Sequence, residues 1–183
     1  GLTEIGLLGD LANTGNSPEK NREHVSEISD RARSLAASLD EIVWAINPAN
    51  DNPQSLVDYL FPYAQRLLSR AGIRCRLELT GALPRGALNS ERRHEFFHAF
   101  KEALNNVIRH SAATEVQIHF AAIGGDLQIC VSDNGCGLSG HEEKAGHHGL
   151  IGMRERLQRL GGSCEISSAT GTGTTVTFIL PIQ

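Results

Sequence analysis

The chain has 183 residues, 40% of them hydrophobic and 21% charged, with a formal net charge of −4. That suffices for one core plus an appendage, and it excludes the broad basic field that holds nucleic acid. No apolar run approaches the roughly 20 residues of a membrane-spanning helix. The start GLTEIGLLGDLA lacks the basic region and cleavage pattern of a signal peptide. Cys75, Cys130, Cys136 and Cys164 form no Cys-x-x-Cys pair, so they read as reduced thiols in a cytoplasmic setting rather than as disulfides. The chain opens inside a helical pattern and reads as an excised piece, with any sensor or membrane anchor lying upstream.

Leu2, Ile5, Leu8 and Leu11 recur at helical spacing, which predicts a helix over 2–12. The run Asn13-Thr14-Gly15-Asn16-Ser17-Pro18 is a turn. A second helix is predicted from Pro18 to Ile46, with Val25, Ile28, Ala32, Leu35, Leu39, Ile42 and Ile46 as an a/d seam. A hairpin this small cannot bury that seam by itself. Two copies forming a four-helix bundle is one solution, and packing on the chain's own second domain is the other. Residues 1–47 are thus expected to be a helical hairpin, 48–54 a linker, and 55–183 a separate domain.

Within that domain, 54–71 reads as a helix with Leu56, Leu60, Tyr63 and Leu67 on one face. Ile73, Cys75, Leu77 and Leu79 alternate with charged residues, as in a half-buried strand. A long helix is predicted from Asn89 or Ser90, as its cap, to about His110. Alternation at Val116, Ile118 and Phe120, the turn Gly124-Gly125-Asp126, and Leu127, Ile129 and Val131 describe a hairpin. Residues 138–148 lack periodicity and read as a mobile loop. A short helix over 152–160 and two strands, 164–167 and 174–180, complete the chain. One apolar sheet face covered by helices is a two-layer α+β sandwich.

Four stretches carry the chemistry. On the helix over 90–110, Glu102, Asn106, Arg109 and His110 fall on one side and Phe97, Phe100, Leu104, Val107 and Ile108 on the other. This could be only a wet face, but Asn105-Asn106 is a costly choice mid-helix. The Asn106 carbonyl oxygen suits Mg²⁺, Glu102 can orient a water or accept its proton, and Arg109 and His110 can neutralise phosphate. Asp133-Asn134-Gly135-Cys136-Gly137 ends a strand. Its acid can accept the exocyclic amine proton of adenine, and its glycines let backbone approach a ring, although Asp-Asn-Gly is also a common turn. Gly146-His147-His148-Gly149-Leu150-Ile151-Gly152 leads into a helix, where free N–H groups meet phosphate. Gly171-Thr172-Gly173-Thr174 either is a tight turn or brings the Thr174 hydroxyl near Asp133. His94-Glu95-Phe96-Phe97-His98 matches the zinc-protease pattern His-Glu-x-x-His, but Lys101 and Leu104 stand where its extended form needs Gly and His.

These residues resemble a known family. Glu102 to Ser111 looks like the N box of sensor histidine kinases of two-component systems. Asp133 to Gly137 looks like their G1 box, and His148 to Arg156 like their G2 region. Gly171 to Thr174, with the strand ending at Leu180-Pro181, resembles their closing motif. The resemblance covers about 53–183 and implies the Bergerat-type ATPase fold shared with gyrase and heat-shock ATPases. Arg109-His110-Ser111 and Gly149-Leu-Ile-Gly152-Met153 resemble the subgroup of nitrate sensors and the membrane-fluidity thermosensor.

The resemblance implies ATP and Mg²⁺ as ligands, with Asn106 holding the metal and Glu102 acting with it in catalysis. It places Asn106, Arg109, His110, Asp133, Gly135, Gly137, His148, Gly149, Leu150, Gly152 and Thr174 against the nucleotide. It also implies a homodimer through the hairpin and a response-regulator receiver domain as partner. The phosphate-accepting His of that subgroup matches none of the eight His here, so the γ-phosphate is expected to go to a helix upstream of Gly1. The alternatives are a nucleotide-binding dimer module without kinase activity and an anti-sigma-type serine kinase or ATPase on the same fold.

Overall fold

The computed structural model describes residues 2–14, 17–138 and 147–182. The chain divides into two compact units, 1–46 and 47–183. The first is a hairpin of helix α1 (Leu2–Thr14) and helix α2 (Pro18–Ile46). An ion pair from Arg31 to Glu4, at 2.6 Å, bridges the two helices, and Arg31 also reaches Glu27 one turn away on α2. Along the heptad seam, Ile28 and Leu35 are half-buried, whereas Val25, Leu39, Ile42 and Ile46 stand exposed.

The second unit begins with a single tight turn at Pro48–Asn50, followed by helix α3 (Pro53–Arg70). Asn52 caps α3 by accepting the Ser55 N–H at 2.8 Å, and Pro53 occupies the first turn, where its missing N–H costs nothing. Strand β1 (Arg74–Thr80) follows, then helix α4 (Ser90–Asn106), strands β2 (Glu115–Ile123) and β3 (Asp126–Asp133), helix α5 (His147–Arg159), and strands β4 (Ser163–Ala169) and β5 (Gly173–Leu180). The sheet order is β1-β2-β3-β5-β4, with β1 parallel to β2 and the other neighbours antiparallel. The parallel pair needs a crossover, and α4 supplies it. β3 is therefore the central strand, and Asp133 closes it.

The periodicity behaves as alternation demands. Val116, Ile118, Phe120, Leu127, Ile129, Val131, Val176, Phe178 and Leu180 are buried on one sheet face. That face receives Leu56, Leu60, Ala64 and Leu68 of α3, Phe96, Phe100 and Leu104 of α4, and Met153 and Leu157 of α5. Aromatic contacts tie the layers: Phe96 meets Phe178 at 5.5 Å, Phe61 meets Phe120 at 4.9 Å, and Phe97 meets Tyr63 at 4.8 Å between ring centres. The opposite face carries short polar side chains, among them Ser132 paired with Thr175 and Cys130 paired with Thr177. This is the expected two-layer α+β architecture. All four cysteines are free, and burial pushes the Cys164 thiol up to about 11 and raises Cys75 as well.

Three expectations need correction. β1 is an edge strand, so Leu79 is exposed rather than half-buried. The long helix does not stay α to His110: it is α to Asn106 and widens into a single π turn over Val107–Ser111. Ala112 then takes a left-handed conformation (φ 51°) that stops it. The Ser111 hydroxyl donates to the Val107 carbonyl at 2.8 Å and accepts the Ala113 N–H at 3.0 Å, closing the wide turn from within. Finally, α5 starts at His147 rather than Gly152, so Gly149 and Gly152 lie inside a helix and not ahead of it. Most of the loop expected over 138–148 lies outside the described residues.

Candidate functional site

The end of α4, the end of β3 and the start of β5 meet beneath α5. Between them lies an open cavity of about 200 Å³ lined by Ala103, Asn106, Val107, His110, Ser111, Val131, Asp133, Gly137, Leu138, Leu150, Thr174 and Val176. Apolar side chains form most of its wall, and a few polar groups converge on it, as in a site that takes a flat ring with a polar edge. Asn106, Val107, His110 and Ser111, at i, i+1, i+4 and i+5, share the side of the helix that faces the cavity, across the change from α to π winding.

Asp133 is 9% exposed, and one of its oxygens accepts the Gly135 N–H at 2.8 Å. This Asx turn holds the carboxylate at the strand end. Asn134 is turned away from the cavity. Its side-chain oxygen accepts the N–H groups of Thr114 and Glu115 at 3.0 Å each, and its amide donates to the Thr114 hydroxyl. The motif is thereby pinned to the start of β2. Thr174 lines the cavity with its hydroxyl 3.0 Å from that of Ser168. The Ser168 oxygen also accepts the Leu138 N–H at 2.8 Å, so one serine ties the segment after Gly137 to the β4–β5 turn.

The glycines of these motifs do something the sequence did not suggest. A Cβ on Gly135 would overlap the Ser111 carbonyl, one on Gly137 the Ala169 carbonyl, and one on Gly173 the Asp133 carbonyl. What lies against them is protein backbone. They let the three motif segments touch, which in turn places Asp133 and Thr174 on the same cavity. Gly137 and Gly173 also have positive φ, 73° and 88°, where L side chains are strained.

Of the residues singled out in the sequence, Asn106, His110, Asp133, Gly137, Leu150 and Thr174 line the cavity together. Gly135 sits behind Asp133. Glu102 lies one turn before Asn106 and rests its carboxylate against Gly149, where a Cβ would collide with it. Arg109 is exposed and absent from the lining, and Gly152 has open space around it. His148 is in the first turn of α5, with its side chain outside the described residues. Sequence reasoning missed Ala103, Val107, Ser111, Val131, Leu138 and Val176. The alternation that placed Val131 and Val176 on the inner sheet face is the signal that could have found those two.

The donor set fits a metal-bound polyphosphate. Asn106 offers a hard, neutral oxygen of the kind Mg²⁺ accepts while keeping most of its waters. His-Glu-x-x-His does not form a hydrolytic centre. The Glu95 carboxylate is held by Arg156 at 2.7 Å and Arg159 at 3.0 Å, so it serves to dock α5 on α4.

An α+β sandwich with a polar-edged cavity between its central strand and a crossover helix is the layout of a small-molecule-binding domain. Residues 91–183 match the family described as histidine kinase-, DNA gyrase B-, and HSP90-like ATPase, and the chain belongs to that family. It is an ATP-binding domain of the histidine-kinase superfamily. The nitrate/nitrite sensor protein NarX of Escherichia coli (strain K12) is 30% identical over 164 residues, covering 88% of this chain and 27% of NarX. Sensor histidine kinase LiaS of Bacillus subtilis (strain 168) is 38% identical over 86 residues, 47% of this chain and 24% of LiaS. The chain thus spans about a quarter of the length of these relatives. The histidine kinase domain of a blue-light activated kinase from Erythrobacter litoralis EL346 shares the fold, with a TM-score of 0.60 at 20% identity over 98% of this chain and 96% of that one. Among the described residues, no helix is long and apolar enough to cross a membrane.

Proposed function

We propose that this chain is the catalytic core of a two-component sensor histidine kinase of the nitrate-sensor and thermosensor type. It binds ATP, presents the γ-phosphate to a His on a helix upstream, and so feeds the Asp of a response-regulator receiver domain. The carrying observation is the convergence of Asn106, His110, Asp133 and Thr174, from separate sequence motifs, on a single cavity. Asp133 accepts the adenine amine proton, and the apolar wall of Val107, Val131, Leu138 and Val176 covers the ring faces. Asn106 and His110 face the phosphate side. Mg²⁺, when bound, spreads the charge that builds on the transferring phosphoryl group. Glu102, one turn from Asn106, takes the proton released by the attacking imidazole nitrogen as the bond between γ-phosphorus and the β–γ bridging oxygen breaks and ADP leaves. The chemistry is positioning and charge neutralisation rather than covalent catalysis by this domain.

The exposed half of the α2 seam supports a dimer in which two hairpins form a four-helix bundle, with residues 1–47 as its partial module, 48–54 as linker and 55–183 as catalytic domain. Titration calorimetry with ATP and Mg²⁺ tests the reading. Asp133→Asn loses a charge-assisted hydrogen bond of about 1.5–3 kcal/mol, roughly a 10- to 150-fold weakening. Asn106→Ala abolishes the Mg²⁺-dependent part of the affinity. Unchanged binding in both variants would refute the assignment. A slow ATP hydrolysis that survives Glu102→Ala would remove Glu102 from the mechanism.

A further inference from the structure

The helix that carries Glu102 and Asn106 bears a second cluster of ligating atoms nearer its start. His94 and His98 are four residues apart on α4, and their Nε2 atoms lie 3.1 Å from each other, with ring centres 4.4 Å apart. At that separation the two nitrogens share an N–H···N hydrogen bond when one of them carries the proton, and both stand beside the same stretch of helix. We propose that His94 and His98 chelate one divalent transition-metal ion, of the zinc, nickel or copper class, at a site separate from the nucleotide cavity.

The bite distance carries the argument. With metal–nitrogen bonds of about 2.0–2.1 Å, two imidazoles on a tetrahedral ion stand about 3.3 Å apart, and two adjacent ones on a square-planar ion about 2.9 Å. The observed separation falls between these values. Four-residue spacing on an α-helix puts both rings over the same surface patch, so ligation needs no change of backbone. The rings are held in place by their neighbours: His98 packs edge-on to Phe97 at 6.4 Å, and Phe97 is itself wedged between Tyr59 and Tyr63. Both rings must present Nε2 without a proton, which the Nδ1–H tautomer allows. Imidazole nitrogens select borderline transition metals over Mg²⁺, so the ion that serves phosphates at Asn106 does not compete here. Glu95, between the two histidines in sequence, is engaged by Arg156 and Arg159 and is neither ligand nor base. From His98 to Asn106 the helix rises about 12 Å, so an ion here would brace the same rod that orients the nucleotide ligands.

The test is Zn²⁺ and Ni²⁺ titration of the full chain after chelator treatment, read by calorimetry and by thermal shift. The expected result is one equivalent bound, a rise in melting temperature with added metal, and at least a ten-fold loss of affinity in His94→Ala and in His98→Ala. His119→Ala, on β2 with its ring on Thr80, should bind as the parent does. Imidazole ¹⁵N spectra of the unsubstituted protein give an independent reading, in which two Nε2 signals move together on adding Zn²⁺. No heat and no thermal shift with metal in ten-fold excess would overturn the proposal. So would parental affinity in a protein carrying both His94→Ala and His98→Ala, or ¹⁵N shifts at other histidines only.

Discussion

The two ends of α4 handle polar side chains in opposite ways. At its start, Arg92 and Arg93 are buried, and their charge is absorbed by the protein. One Arg92 nitrogen donates to the carbonyls of Leu160 and Pro181 at 2.8 and 2.7 Å. Arg93 donates to the carbonyls of Leu88 and Asn47, at 2.6 and 3.0 Å, and forms an ion pair with Asp51. These contacts gather the linker, the loop before α4 and the chain end. At the far end, Asn106 and His110 face a cavity instead. One helix thus has an anchoring end and a reading end. Buried polarity is informative here only once its partners are known.

The largest effect that separates the ends is expected from Arg93→Met. It keeps an apolar stem but strands two carbonyls and leaves Asp51, 40% exposed, to water, so stability should fall by about 2–4 kcal/mol. At about 2–4 °C per kcal/mol, that lowers the melting temperature by roughly 10 °C. Calorimetric ATP affinity of the folded protein should stay within two-fold. A large loss of affinity would erase the distinction between anchor and reader.

A smaller effect, on both properties at once, is expected from Gly173→Ala. The position has φ 88° and its Cβ would overlap the Asp133 carbonyl, so urea denaturation should show a loss of about 2–3 kcal/mol. Because the displaced backbone is that of Asp133, nucleotide affinity should fall with it. If stability dropped while affinity held, the contact between the β4–β5 turn and Asp133 would be irrelevant to the site. The smallest change has the opposite sign. Gly152 is helical with open space around it, so Gly152→Ala should gain about 0.5–1 kcal/mol in denaturation. Retained ATP affinity in that variant would show that the phosphates need no close, Cβ-free approach at position 152.

Much of the architecture could be read from periodicity. The spacing of the α2 seam, the alternation at Val116 to Phe120 and the Gly124-Gly125 turn each report a local rule. Asn106 drew notice because Asn is costly mid-helix, and Asp133 and Thr174 because each belongs to a glycine-bearing motif at a strand end; the cavity brings the three together. The π turn was not legible, since Val107 to Ser111 reads as a continuing α-helix until Ala112 reverses the backbone. The start of α5 was misread because two glycines argue against helix, and packing of Gly149 on Glu102 overrides that propensity. The buried arginines were invisible because their partners are carbonyls remote in sequence, and composition does not report carbonyls.

The π turn has a consequence for how much length this domain can lose. Each residue of a regular helix advances the azimuth by about 100°. Deleting Ile108 or Arg109 would let the segment relax to ordinary winding, with His110 and Ser111 three and four residues after Asn106 and still on its side of the rod. A single-codon deletion there would thus replace the wide turn by a regular one and keep the cavity's side chains together.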